Sequence, residues 1–243
     1  MFETIAALFF AHVLADYVFQ ARWMVENKRN PLVLLLHTAI VIATAQAAIG
    51  TVTSAEVLVL GAIHLTIDAF KTYALPDTVG VYLIDQAAHV ATLAGLGFYA
   101  PGLWDTGFWA SQPYAPAPAI LHAMVIAGGA IYAIRAGGFA VGKLMVPFAD
   151  GFSSGGLPSG GMIIGVLERG LIYVLMLAGQ IGSVGFLIAA KSIMRYEASK
   201  EQKAAEYVII GTLASFGWAI AITIAVIALR SALPPLEIAP ATH

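Results

Sequence analysis

Eight apolar stretches of about 20 residues dominate this chain, and each is long enough to cross the hydrocarbon core of a bilayer as an α-helix. They lie near residues 2–21, 31–50, 55–74, 79–99, 116–136, 161–178, 182–198 and 206–231. Only 11% of the 243 residues are charged, whereas a soluble domain has about 25%. The predicted fold is therefore all-α, a polytopic transmembrane bundle of about eight spans.

The composition also excludes several classes of function. The net charge is −2, so no strong positive field indicates nucleic-acid binding. The chain has no cysteine, which rules out disulfides, thiolate metal sites and a cysteine nucleophile. The first apolar stretch lacks the basic start of a signal peptide, and we expect it to be a retained span.

Three segments divide the predicted molecule. Residues 1–100 form a four-helix core of two tandem hairpins, and 161–243 form C-terminal membrane helices. Between them, 101–160 hold an interfacial loop, the fifth span and a loop rich in Gly and Ser that acts as a flexible linker or a mobile gate. The region 161–198 is a hairpin turning at 179–182 or a single long helix, which gives eight spans or, alternatively, seven.

Basic residues predict the orientation, because cytoplasmic loops are enriched in Lys and Arg. The connections after the first, third and fifth spans contain Arg22, Lys28, Arg29, Lys71, Arg135 and Lys143. The connections after the second and fourth spans contain none. The odd-numbered connections are therefore predicted to be cytoplasmic, with the N-terminus outside.

Seven ionisable side chains lie within the first four spans, where each is costly to insert and is a functional candidate. Three pairs have a four-residue spacing, which places a His and an Asp on one helix face. The seven residues are His12, Asp16, His37, His64, Asp68, Asp85 and His89.

The pattern repeats after 52 residues. This offset relates His12 to His64, Asp16 to Asp68 and His37 to His89, whereas Val33 occupies the position equivalent to Asp85. Two consecutive hairpins have the same orientation, so the offset predicts a parallel repeat about an axis along the membrane normal.

Helix geometry places all seven side chains in one layer, roughly 9–15 Å from the cytoplasmic end of their spans. Imidazole and carboxylate are ligands for divalent metals, of which zinc is the first expectation and iron or manganese the alternatives. A metal-free hydrogen-bond network or a proton path would use the same residues. We interpret the layer as a metal site.

Four further residues are weaker candidates. Glu168 reaches the same layer, and Glu168 and Arg169 are either a catalytic base with an anion clamp or a buried ion pair that joins helices. Lys71, one turn beyond Asp68, either binds a substrate phosphate or extends to the interface. Gln20, one turn beyond Asp16, is expected to hydrogen-bond that carboxylate and contact substrate.

Two functional classes fit this pattern. The first is a membrane-embedded metal-dependent hydrolase of a lipid or lipid-linked small molecule. The second is a transporter or channel in which the same residues pass a metal ion or protons. Polar residues confined to one layer favour the hydrolase, and a metal-stabilised scaffold without chemistry is a third reading.

Three segments resemble bacterial membrane proteins classed as domain of unknown function 3307, namely HVLADYVFQ (12–20), HLTIDAFK (64–71) and DQAAH (85–89). The stretch from Gly165 to Glu197 and AEYVIIGTLAS (205–215) look like the long form of that family. The resemblance implies a multi-pass protein of the bacterial cytoplasmic (inner) membrane and no specific activity. Membrane-bound metal-dependent hydrolases and ceramidase-like zinc hydrolases are similar in residue type only, because their motif spacings differ.

Overall fold

The computed structural model describes residues 1–112, 117–149, 159–196 and 202–236. In these ranges the chain contains α-helices and short 3₁₀ and π turns and no strand, which confirms the all-α prediction. The α-helices are α1 (Phe2–Leu14), α2 (Arg22–Glu26), α3 (Pro31–Ile49), α4 (Ala55–Ala74), α5 (Val79–Tyr99), α6 (Ala117–Ile131), α7 (Gly137–Met145), α8 (Gly160–Leu177), α9 (Ile181–Tyr196) and α10 (Gln202–Ser231).

Seven of the described helical segments are long and apolar enough to cross a membrane, which indicates membrane insertion. Adjoining helices are joined into one segment where a π turn continues them. The segments are Phe2–Phe19, Pro31–Ile49, Ala55–Ala74, Val79–Tyr99, Ala117–Phe148, Gly160–Leu177 and Lys203–Ser231.

Helices α8 and α9 form the predicted hairpin. The chain reverses beside Gly179, whose φ of 74° is accessible to glycine at little cost. The two helices are antiparallel, because Lys191 Nζ reaches back to Glu168 Oε2 at 2.5 Å. The apolar part of α9, Ile181–Lys191, is shorter than a full span, so the described residues contain seven helices of spanning length rather than eight.

Local signals at both ends fix the hairpin of α3 and α4. Asn30 caps α3 by accepting a hydrogen bond from the Leu32 amide at 3.0 Å, with Pro31 at the first helical position. Gly50, at φ 84°, ends α3 in the left-handed conformation. The Ser54 hydroxyl caps α4 by accepting from the Val57 amide. These caps end α3 and begin α4 on either side of a short connection, so the two helices run antiparallel.

Two helices contain a π turn that the sequence periodicity does not predict. One, Ala15–Phe19, follows α1, and the other, Tyr132–Ala136, joins α6 to α7. The fifth span therefore continues to Met145, followed by a 3₁₀ turn at Val146–Phe148. The prediction of a loop beginning at residue 137 is wrong, because the π turn keeps the chain helical through the glycines. Residues 150–158 of that predicted loop lie outside the described residues.

The chain forms two compact units. Unit 1 comprises Met1–Pro76, Ile84–Gly128 and Val226–His243, and unit 2 comprises Asp77–Leu83 and Gly129–Ala225. In unit 2, Ile172 and Met176 of α8 pack with Val184 of α9 and Phe216 of α10. The predicted three-segment division of the chain stays a prediction.

Candidate metal centre

Unit 1 brings the seven predicted His and Asp side chains into one cluster, hereafter the His/Asp cluster. Helix α1 and its π turn supply His12 and Asp16, α3 supplies His37, α4 supplies His64 and Asp68, and α5 supplies Asp85 and His89. All are buried except Asp16, whose side chain is 11% exposed. Four helices therefore converge on one polar interior.

The four imidazoles follow the predicted repeat. A two-fold rotation that exchanges the two hairpins maps the pair His12 and His89 onto the pair His64 and His37. The ring centroids of His12 and His89 are 5.3 Å apart, and those of His37 and His64 are 5.2 Å apart. His12 and His64, the equivalent residues, are 6.0 Å apart. These two distances agree with the repeat, whereas the stacking of His64 on His89 at 4.1 Å has no described counterpart between His12 and His37.

Two carboxylates lie against the imidazoles. Asp16 Oδ1 is 3.4 Å from His37 Nε2, 3.8 Å from His12 Nδ1 and 3.9 Å from His64 Nε2. Asp68 Oδ2 is 3.5 Å from both His37 Nε2 and His64 Nε2. The two Nε2 atoms are themselves 3.2 Å apart.

These spacings fit a metal ion. Bonds of about 2.0–2.2 Å place the ligand atoms of a tetrahedral zinc ion about 3.3–3.6 Å apart. The four atoms Asp16 Oδ1, His37 Nε2, His64 Nε2 and Asp68 Oδ2 have five measured separations between 3.2 and 3.9 Å. Two further groups have ligand atoms within 4.8 Å of one another. One is His12 with Asp16 and His64, and the other is Asp68 with Asp85 and His89.

Several polar atoms of the cluster have no hydrogen-bond partner within the described residues. They are Asp16 Oδ1, Asp68 Oδ2, Asp85 Oδ1, His37 Nδ1, His89 Nε2 and both ring nitrogens of His12. A buried polar group without a partner costs about 1–3 kcal/mol, and these atoms are of the kinds that could bind a metal ion.

Lysines bind the carboxylates of the second hairpin. Lys28 Nζ donates to Asp68 Oδ1 at 2.9 Å, and Lys71 Nζ donates to Asp85 Oδ2 at 2.7 Å. No lysine contacts Asp16 in the part of the chain that the structure describes. Lys28 is the member of this site that sequence reasoning missed, because it lies in the connection between α2 and α3 and was used only to predict orientation.

The π turn determines the surroundings of Asp16. Its wider turn breaks the four-residue register, and Gln20 follows it in an extended conformation. The expected hydrogen bond from Gln20 to Asp16 is therefore absent, and Gln20 Nε2 is buried without a partner. Such turns are frequent at functional sites.

Lys71, Glu168 and Arg169 have defined contacts. Lys71 pairs with Asp85. In unit 2, Glu168 pairs with Lys191, while the buried Arg169 donates to the Ile134 carbonyl and the Ser215 hydroxyl, each at 3.0 Å. Glu168 and Arg169 thus join helices of unit 2 separately rather than as a pair with each other. Their catalytic roles stay predictions.

A small cavity of about 10 Å³ adjoins three of the imidazoles. His12, His64, His89 and Thr92 form its polar wall. Its remaining wall includes Leu8, Val41, Leu60 and Leu93. Each of these residues lies one helical turn from a cluster histidine, on the side away from the aspartates. The volume is close to the minimum for one water molecule.

Comparisons with known proteins give one family match and no function. No curated protein and no solved structure is significantly similar to the chain. Residues 4–101 match the model of a family described as protein of unknown function (DUF3307). This segment contains all seven residues of the His/Asp cluster, and over it the chain is similar to the DUF3307 family.

Proposed function

We propose that the His/Asp cluster binds a divalent transition metal, zinc in the first instance and iron or manganese as alternatives. Asp16, His37, His64 and Asp68 are the proposed ligands. The observation that carries the proposal is that the two imidazole nitrogens lie 3.2 Å from each other and 3.4–3.9 Å from the two carboxylate oxygens. A cation would also offset the cost of burying carboxylates and imidazoles within apolar helices.

We propose further that the protein is a membrane-embedded hydrolase of a lipid or lipid-linked small molecule. A bound metal would supply a water of lowered pKa and would polarise the scissile group. His12 and His89 remain outside the proposed ligand set and would move protons. His89 Nε2 is 3.6 Å from Asp85 Oδ1, a carboxylate that would orient its ring.

The polarity of unit 1 favours a closed site over a conduit. A conduit needs polar groups along its whole length. In the described part of unit 1, the polar layers run from the lysines through the aspartates to the histidines. One turn further, Leu8, Val41, Leu60 and Leu93 surround the cavity. Substrate and water would therefore approach from the lysine side.

Metal-dependent lipid turnover tests the proposed activity. The full chain, purified in detergent and loaded with zinc, is incubated with defined bacterial lipids, and products are identified by mass spectrometry. We expect hydrolysis that is lost after chelation and in His64→Ala, and retained in His122→Ala. His122 is a matched control, because it is also buried in unit 1 but contacts the Pro234 carbonyl.

Two results would contradict the hydrolase. One is turnover that persists after the metal is removed. The other is a metal-loaded protein that leaves every lipid class intact, which would favour the metal-stabilised scaffold.

A further inference from the structure

The two hairpins of the repeat differ in how they turn. The second hairpin passes from α4 to α5 through residues 75–78, whereas the first passes to α3 through residues 20–30, which include α2. The 52-residue offset relates α2 to residues 74–78, where α4 ends. The 20–30 segment is therefore a feature that the first hairpin has and the second lacks.

Two polar contacts join the 20–30 segment to α4 among the described residues. Lys28 Nζ donates to Asp68 Oδ1 at 2.9 Å, and the Tyr73 hydroxyl donates to the Arg29 carbonyl at 3.1 Å. The first of these contacts is made to a proposed metal ligand, and the second is not.

The rest of the segment is lightly attached. Met24 is buried, at 3% exposure, whereas its neighbours Trp23 and Val25 are each 51% exposed. The backbone is extended at Gln20 and at Asn30, on either side of α2. Extended residues at the ends of an element can absorb its reorientation. The segment thus has a joint at each end, with Met24 as its apolar anchor.

A metal at the proposed site would compete with Lys28 for Asp68. The ammonium donates to Oδ1 and lies 2.9 Å from Oδ2 as well. A metal bonded to Oδ2 at about 2.0–2.2 Å would lie within about 5 Å of the ammonium. Two cations this close repel each other where water is largely excluded, and the Asp68 side chain is 2% exposed. Metal binding would therefore weaken the contact that holds the segment.

We propose that the 20–30 segment is a cover over the metal centre, which a bound metal releases by displacing Lys28 from Asp68. The proposal rests on the metal site proposed above and concerns the control of access to it. Release opens the lysine side of the cluster, from which substrate would approach, only after the metal is in place. Metal therefore binds first and substrate second.

A spin label on the cover tests this without turnover. The chain has no cysteine, so Val25→Cys in α2 takes a single nitroxide. The electron paramagnetic resonance spectrum of the full chain in detergent is recorded before and after zinc is added. We expect a restricted label without metal and a mobile label once zinc is bound. Leu58→Cys, on α4 and likewise 51% exposed, is the matched control and should keep its spectrum.

Variants of the two contacts separate opening of the cover from competition at Asp68 alone. Lys28→Met should strengthen zinc binding at least about tenfold, because the competing cation is gone. Tyr73→Phe removes a contact that the metal does not touch. It should still strengthen zinc binding about two- to tenfold, because opening then breaks one hydrogen bond fewer. Tyr99→Phe, 83% exposed on α5, is the control and should bind zinc as the wild type does.

The other outcomes are equally decisive. Bound zinc that leaves the Val25→Cys label restricted, or an unchanged zinc affinity in Lys28→Met or Tyr73→Phe, would overturn this inference and leave the metal centre standing. The label experiment keeps both contacts intact, so it stands even where Lys28→Met fails to fold. A chain that binds no zinc would overturn the metal centre itself.

Discussion

Asp16 and its equivalent Asp68 have different surroundings in the two halves of the His/Asp cluster. It lies in a π turn, has three imidazole nitrogens within 3.9 Å, and contacts no lysine in the described part of the chain. Its equivalent, Asp68, lies in a regular α-helix and is bound by Lys28. Asp16 is therefore the carboxylate that most needs a metal to balance its charge.

Replacing Asp16 by Asn should weaken metal binding about 100-fold or more, because the amide keeps the shape of the side chain but loses its negative charge. Calorimetric titration of the purified protein with zinc measures this change. Asp105→Asn, at an exposed position of unit 1, is the matched control and should bind zinc as the wild type does. Equal affinities in the two variants would remove Asp16 from the ligand set.

Lys28→Met should destabilise the metal-free protein by about 3 kcal/mol, because it leaves the buried Asp68 carboxylate without its cation. A lowered thermal unfolding temperature in detergent measures the loss, and Lys28→Met with Asp68→Asn should recover part of it. Arg22→Met breaks an ion pair whose side chains are 92% and 56% exposed and should have little effect. An unchanged unfolding temperature in Lys28→Met would show that the Lys28 ion pair adds nothing to stability.

The sequence predicts the residues of this cluster well, because ionisable side chains within apolar helices are rare and their spacing reports a shared face. It does not predict Lys28, which lies outside every span and reaches Asp68 only through the fold. The Gln20 prediction failed because it assumed a regular helical period through a turn that is widened.

At the scale of elements, the apolar stretches predict most helix ends to within a few residues. Asn30 with Pro31 and Ser54 are the capping signals at the starts of α3 and α4. The π turns are invisible to this reasoning, because one wide turn changes the register without changing the composition. The fifth span was predicted to end at residue 136, whereas the chain continues as α7.

The segment from Pro101 to Ser111 packs against the C-terminal end of α3. Gly107 approaches so closely that an added Cβ would lie 1.8 Å from the Ile49 carbonyl oxygen. Gly107→Ala should therefore destabilise the protein by roughly 2 kcal/mol or more, since backbone must move. Gly102→Ala, where the nearest atom would be 3.7 Å away, should be within about 0.5 kcal/mol of wild type. Equal thermal unfolding temperatures for the two variants would show that this close approach is not maintained.

At the scale of the molecule, the tandem repeat explains why four helices share one polar layer. Two copies of the same hairpin, related by a rotation about the membrane normal, would bring equivalent histidines to the same depth. The 52-residue offset predicts this symmetry, and the structure brings all four histidines together. The division into two units, with α5 contributing to both, was not predictable, because it depends on long-range packing rather than on the order of the spans.

The orientation in the membrane stays a prediction that the absence of cysteine makes simple to test. Asn27 and Thr106 are both exposed, in connections predicted to lie on opposite sides. With an impermeant thiol reagent on intact cells, Thr106→Cys should be labelled and Asn27→Cys protected, because basic connections remain cytoplasmic. The reverse pattern of labelling would invert the assignment.

Metal content is the measurement that tests the central claim most directly. The full chain is purified without added metal, and its zinc, iron and manganese are determined by elemental analysis alongside His37→Ala and His122→Ala. The account predicts about one divalent ion per chain in the wild type and in His122→Ala, and its loss from His37→Ala. Wild-type protein that is metal-free, and whose unfolding temperature does not rise when any of these three metals is added, would contradict it.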